Sequence, residues 1–130
     1  MAKARIARVL VVDDEEIARK NLDHILQKEG YIVVMAASGA EALEKMETSN
    51  FDVVLTDIRM ENISGIEVLE KTKIKHPEIE VVMVTAYAST DSATETLKKG
   101  AFQYIAKPFK INDIRVTVKQ AIEKKLSTTT

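Results

Sequence analysis

Hydrophobic, β-rich runs punctuate the chain at Val9–Val12, Val53–Thr56 and Val81–Val84, each four residues long and each stopping against a polar side chain, Asp13, Asp57 and Thr85. Runs that are continuous rather than alternating read as strands buried on both faces, as in parallel sheets. Ile32-Val-Val-Met35 and Phe102 to Ala106 read as two further strands. Between them apolar residues recur at helical spacing. The first helix opens after Asp14, carries Ala18, Leu22, Ile25 and Leu26 on one stripe and stops at Gly30. The second runs from about Gly39 to Glu47 with Leu43 and Met46 inward, and the third starts near Gly65, uses Ile66 and Leu69 and ends before Pro77. The fourth, about Asp91 to Lys99, offers only Ala93 and Leu97 as an apolar pair and is the most weakly anchored. The fifth begins near Asn112 and buries Ile114, Val118, Ala121 and Ile122. Strands alternating with helices predict an α/β domain, a parallel sheet with helices on both faces.

Length narrows this to a single domain over residues 1–130, with a core of about 5–126 and a frayed tail after Lys124. A net charge of −1 gives no electrostatic reason to expect direct nucleic-acid binding. The absence of cysteine removes disulfides, thiolate metal sites and thiol nucleophiles. The N-terminal residues carry charges without an apolar signal core, and no apolar stretch could span a bilayer, so the expectation is a cytoplasmic protein with no membrane partner.

Candidate chemistry lies where the runs stop. Asp13-Asp14, Asp57, Thr85 and Lys107 each follow a strand, and none follows the strand at 32–35. In open α/β sheets ligands bind outside the carboxyl ends of the strands. Each residue alone has a plain explanation: acidic residues complement a helix N-terminus, Asp57 could cap a turn, Thr85 suits a strand and Lys107 suits a surface. Together they suggest a site for a divalent cation and a phosphoryl group. Three carboxylates at −3 are balanced by a +2 cation and one lysine. Mg²⁺ fits, because it uses one or two carboxylates, keeps waters and accepts phosphate oxygens. Zinc does not, with no cysteine and two distant histidines. Asp57, alone ahead of the loop Ile58 to Ser64, suits a covalent phosphoryl acceptor, and Asp13 and Asp14 suit metal binding. Lys107 and a hydroxyl donor from Thr85 would stabilise charge on the phosphoryl in flight.

These residues stand in a specific order: Val-Val-Asp13-Asp14, Thr56-Asp57-Ile-Arg-Met60, Gly65, Val84-Thr85-Ala86, Gly100-Ala-Phe102, Tyr104 and Lys107-Pro108-Phe109. In that order and spacing the chain resembles a receiver domain of a two-component response regulator over about residues 5–126. The resemblance implies a flavodoxin-like five-stranded sheet in the order 2-1-3-4-5. It implies that Asp57 takes a phosphoryl group from a histidine kinase or phosphotransfer protein. Asp14, Asp57 and the backbone carbonyl of Arg59 would ligate Mg²⁺, with Asp13 acting through a metal-bound water. Lys107 would pair with the phosphoryl oxygens and Asp57, Thr85 and Tyr104 would form the switch, and Lys107-Pro108 would be cis. The loop after the acceptor departs from the family pattern, with Glu61 where proline is usual. The side chains two positions after Asp57 and two after Thr85, Arg59 and Tyr87, should flank the approach of hydrolytic water. Both are large and neither is a carboxylate or amide suited to holding a water in place, which predicts a long-lived phosphorylated form.

The main rival is a Mg²⁺-dependent phosphatase of the haloacid-dehalogenase type, which also forms an aspartyl-phosphate. That family wants Asp-x-Asp after the first strand, whereas the pair here is contiguous. A nucleotide or flavin carrier would want a glycine-rich turn after a strand, and four glycines supply none. His24 and His76 read as solvated and non-catalytic, and Met35 and Met83 as core. Val116 falls off the last helix's apolar stripe, on a face many receivers use for a phosphorylation-dependent homodimer. Val84-Thr-Ala-Tyr-Ala88 and Gly100-Ala-Phe-Gln-Tyr104 are similar to enhancer-binding transcriptional activators, which would place DNA binding in an output domain or partner.

Overall fold

The three continuous runs become the centre of one parallel sheet. The structure is a computed structural model that describes residues 5–86 and 89–128. Its elements alternate: β1 Arg8–Val12, α1 Glu16–Lys28, β2 Ile32–Ala36, α2 Gly39–Thr48, β3 Val53–Thr56, α3 Gly65–Lys75, β4 Glu80–Thr85, α4 Thr90–Lys98, β5 Gln103–Ala106 and α5 Ile111–Thr128. The strand order is β2-β1-β3-β4-β5, with all neighbours parallel, as expected.

Because strand side chains alternate, the runs divide between two cores. Val9, Val11, Val53, Leu55, Val82 and Val84 face α1 and α5, meeting Leu22, Ile25, Leu26, Ile114, Val118 and Ala121. Leu10, Val12, Val54, Val81 and Met83 face α2 and α3, meeting Ala42, Met46, Val68 and Leu69. Burial on both faces is what suppressed polar alternation in these strands. Gly30, at φ +89, follows α1 and gives the backbone the left-handed turn that leads into β2. Serines start three of the helices. The Ser38, Ser64 and Ser89 hydroxyls accept from the amides of Glu41, Glu67 and Ser92.

Two expectations need correction. Leu97 is 46% exposed, and the buried residue of α4 is Thr96. A hydroxyl can sit there because Thr96 Oγ1 donates to the Ala93 carbonyl at 3.1 Å, within its own helix. The helix still buries very little, so its expected weak anchoring stands. His24 is exposed as expected, but His76 is half-buried and its Nε2 is enclosed without a hydrogen-bond partner. His76 caps α3 through its amide, on the Thr72 carbonyl at 2.7 Å, and accepts from the Ile79 amide at 3.0 Å. That turn brings the residue against the domain.

The edge of the sheet where β3 and β4 begin holds two buried acids that the sequence pattern hides. Asp52 is 1% exposed and Glu80 3%. Asp52 receives the Arg5 guanidinium on both oxygens, the Arg8 amide at 2.8 Å and Lys125 Nζ at 3.1 Å. Glu80 lies 3.7 Å from Lys73 and 3.5 Å from Lys124. These contacts tie the end of α5 to the sheet. Burial pushes the Asp52 carboxyl up, but Arg5, the Arg8 amide and Lys125 outweigh it, so it ends below the ordinary value. A carboxyl depressed in the folded state adds stability above its unfolded pKa and loses it as pH falls through the folded pKa. Asp52→Ala should therefore cost about 3 kcal/mol at neutral pH, as for a broken buried ion pair. The difference should shrink below about pH 4, the unfolded range of aspartate. Equal urea midpoints for parent and variant at neutral pH would refute this.

Candidate functional site

The ladder of the sheet continues one residue past its strands, and this continuation builds the site. The Asp13 amide donates to the Ala36 carbonyl at 3.2 Å, the Asp57 amide to Val12 at 3.1 Å and the Lys107 amide to Thr85 at 2.8 Å. Three chemically active residues are thereby fixed by their backbones at one edge. Their side chains converge. Lys107 Nζ lies 2.8 Å from Asp13 Oδ2 and 3.2 Å from Asp57 Oδ2. The second oxygens face the loops: Asp13 Oδ1 accepts from the Glu15 amide at 2.9 Å, and Asp57 Oδ1 from the Arg59 amide at 3.3 Å. Asp13 and Asp57 are buried and Thr85 is fully buried, whereas Asp14 and Arg59 are exposed. Burial alone would lower the Lys107 ammonium. Asp13, and then Asp57, outweigh it and hold the group above its ordinary value, so it is charged at neutral pH.

Crowding is milder than three adjacent carboxylates suggest. Among the described residues no three acidic or histidine side chains gather tightly enough to form a ready metal cage. Lys107 stands between Asp13 and Asp57, and Asp14 turns to solvent, with no hydrogen bond or ion pair to the described residues. The donor set is nevertheless all oxygen and acidic. Mg²⁺ keeps several of its waters and needs only one or two carboxylates, so these residues fit it. An open cleft of about 310 Å³ adjoins Asp14, lined also by Ala37, Ser38, Met60, Glu61 and Asn62. Glu61, in the place where a proline is usual, sits on this rim. Its neighbour Asn62 takes the left-handed turn at φ 66, a conformation asparagine tolerates better than most residues.

Thr85 and Tyr104 lie on one face of the sheet. Tyr104 is the register partner of Met83, and Thr85 is two residues beyond Met83 on β4. The Tyr104 hydroxyl is within 3.0 Å of Ser92 Oγ and accepts from the Ser89 amide at 3.2 Å. The phenol thus joins the cap of α4. The Lys107-Pro108 bond is cis. Tyr87 lies outside the described residues.

A model of the response regulator receiver domain matches residues 9–119. The chain belongs to this family. It is a phosphoacceptor signalling domain of the two-component type, and the phosphatase alternative is not favoured. Receiver domains generally bind Mg²⁺ at such an acidic pocket. The chain is 42% identical over 114 residues to the transcriptional regulatory protein ZraR of Klebsiella oxytoca, covering 88% of this chain and 26% of that protein. It thus spans about a quarter of the length of that curated relative. It is 37% identical over 113 residues to sporulation initiation phosphotransferase F of Bacillus subtilis, covering 87% and 91% of the two. The solved response regulator TrrA of Thermotoga maritima, in complex with Mg(2+)-BeF, is similar at 35% identity and a TM-score of 0.82, over 89% of this chain and 99% of that one.

The sequence reading of this receiver missed Arg19. Its Nη1 donates to the Asp13 carbonyl at 2.8 Å. Five residues past Asp14 on a helix, its side chain could have been expected to lie back over the preceding turn. Gly65 was noted as part of the pattern, but its contact with the acceptor was not. A side chain there would place Cβ 1.8 Å from the Asp57 carbonyl oxygen.

Proposed function

We propose that Asp57 accepts a phosphoryl group from a histidine of a kinase or phosphotransfer protein. The supporting observation is its buried carboxylate at the carboxyl end of β3, with the Lys107 ammonium on Oδ2 at 3.2 Å. One Asp57 oxygen forms the new bond to phosphorus as the phosphorus–nitrogen bond to the donor imidazole breaks. The histidine nitrogen leaves with that electron pair. Lys107 balances the added negative charge, and Thr85 supplies a hydroxyl donor. Asp14, Asp57 and the backbone carbonyl of Arg59 would hold Mg²⁺, with Asp13 acting through one of its waters. The metal would contribute charge neutralisation at the phosphoryl oxygens. TrrA, similar along nearly its whole length, is solved with Mg(2+)-BeF, which supports this assignment.

On this reading the chain is a single receiver domain over residues 1–130 that catalyses only its own phosphorylation and dephosphorylation. It works in the cytoplasm and acts on an output domain or protein rather than on DNA directly. Likeness to a transcriptional regulatory protein supports a role in transcription. No helix among the described residues is long and apolar enough to cross a membrane. Acetyl phosphate with Mg²⁺ should add one phosphoryl group per chain by mass, EDTA should prevent it, and phosphomonoesters should not turn over. Steady turnover of such esters would favour the phosphatase reading. The phosphorylated form should be long-lived, because Arg59 and Tyr87 are large and neither is a carboxylate or amide suited to holding a water in place. Arg59→Asn with Tyr87→Glu should hasten its decay, and unchanged decay would place control of the lifetime elsewhere.

The switch would run through Thr85 and Tyr104. Thr85 moves toward the phosphoryl group, and Tyr104 leaves the α4 cap and turns inward. This is a shift between two populations rather than a new fold. Beryllofluoride with Mg²⁺, standing in for the phosphoryl group, should change amide exchange in 86–106, and Tyr104→Phe should reduce that change. An exchange pattern insensitive to beryllofluoride would remove the mechanism. The same sample would test phosphorylation-dependent homodimerisation through the face carrying Val116, which is 44% exposed; a monomer by sedimentation would refute it.

A further inference from the structure

We propose that Arg19 is a positioning residue that sets where the Asp14 carboxylate stands at the metal site. The inference rests on the proposed role of Asp14 as a ligand. Asp14 makes no hydrogen bond or ion pair of its own to the described residues, so its backbone alone determines its place. That backbone follows the Asp13 carbonyl, which shares a planar peptide with the Asp14 amide. Arg19 Nη1 holds this carbonyl oxygen at 2.8 Å from a half-buried position. The rest of Asp13 is already fixed, through its amide on Ala36, its Oδ1 on Glu15 and its Oδ2 on Lys107. Arg19 closes the one remaining polar group and so locks the plane that carries Asp14.

The start of α1 shows why such a brace is needed. Its N-cap is Glu15, whose side chain makes no capping hydrogen bond, whereas the serine caps of α2, α3 and α4 hold their own helix starts. The loop is braced instead from one turn inside the helix, by a side chain that lies back toward the N-terminus.

Charge and geometry make opposite claims about Arg19, which makes the role measurable. As a cation near a cation site, Arg19 should weaken metal binding, and its removal should tighten it. As a brace it should strengthen binding, and its removal should weaken it. Groups that orient metal ligands commonly matter by on the order of 10-fold in affinity.

The test uses Mn²⁺ as the probe, with free ion counted by electron paramagnetic resonance on the unphosphorylated protein. Arg19→Met should weaken Mn²⁺ binding about 10-fold and speed amide exchange at Asp14 and Glu15. Arg19→Lys keeps the charge and part of the reach and should fall between parent and Met. Lys20→Met removes a like charge from the exposed neighbour, which pairs with Glu16 at 2.8 Å, and should leave binding unchanged or slightly tighter. In an Asp14→Ala background, Arg19→Met should no longer weaken binding, and only the slight tightening from the lost charge should remain. If Asp14→Ala weakens Mn²⁺ binding and Arg19→Met does not, the positioning role is wrong and the ligand assignment survives. If Asp14→Ala leaves binding unchanged, the ligand assignment fails and the positioning role with it. Tighter binding by Arg19→Met would show that its charge, not its hydrogen bond, is what the site feels.

Discussion

Asp57→Asn should abolish labelling by acetyl phosphate while leaving the domain folded. The change keeps the size and planar shape of the side chain and removes one nucleophilic oxygen and the negative charge. Neither neighbouring carboxylate is placed to take over. Both Asp13 oxygens are engaged, one by the Glu15 amide and the other by Lys107 at 2.8 Å. Asp14 is exposed and lies away from the Lys107 ammonium that would balance an incoming phosphoryl. Lys107 keeps Asp13 as a partner in the variant, so the edge of the sheet should not collapse. The checks are intact-protein mass after incubation with acetyl phosphate and Mg²⁺, and a thermal melt of the same sample. A folded variant that still gains a phosphoryl group would move the acceptor to Asp13 or Asp14.

What could be read from the sequence follows from how far each signal travels along the chain. The central strands were legible because burial on both faces removes polar residues from the interiors of β1, β3 and β4. The strand-end residues were legible because they interrupt those runs abruptly. Asp52 and Glu80 were not, although they stand at the starts of β3 and β4, because their partners Arg5, Lys124 and Lys125 come from distant segments. An acid before a strand looks the same whether it is solvated or clamped. Leu97 was expected inward and is exposed, with Thr96 buried instead, because α4 packs against so little that apolar spacing barely constrains it. Asp14 is exposed while Lys107 pairs with the two buried carboxylates, an arrangement that counting charges does not reveal. Arg19 was invisible as a functional residue because its partner is a backbone carbonyl, which leaves no mark in side-chain patterns.

Gly65→Ala should disable the site from the other side, by displacing the acceptor rather than altering it. The missing Cβ would fall 1.8 Å from the Asp57 carbonyl oxygen, 2.7 Å from its carbonyl carbon and 2.9 Å from the Ile58 Cα. All three are backbone atoms, so no rotamer change relieves the contact. The oxygen already accepts from Thr56 Oγ1 at 3.0 Å, and the Gly65 amide donates to the Ile58 carbonyl at 2.8 Å. Either the end of β3 or the first turn of α3 must move, and the Gly65–Ile58 hydrogen bond couples a shift of α3 to the chain that carries Asp57. The cost should reach about 3 kcal/mol or more, the upper end of overpacking penalties. Gly30→Ala is the natural control. Its Cβ meets nothing within 4 Å, and only the left-handed φ of +89 opposes it. That strain costs roughly 1–2 kcal/mol and lies far from the strand ends. Gly30→Ala should therefore lower the urea midpoint while leaving the labelling rate unchanged, whereas Gly65→Ala should lower both. Equal labelling by the two variants, under conditions where both are folded, would mean that the close approach of α3 to the Asp57 backbone does not position the acceptor.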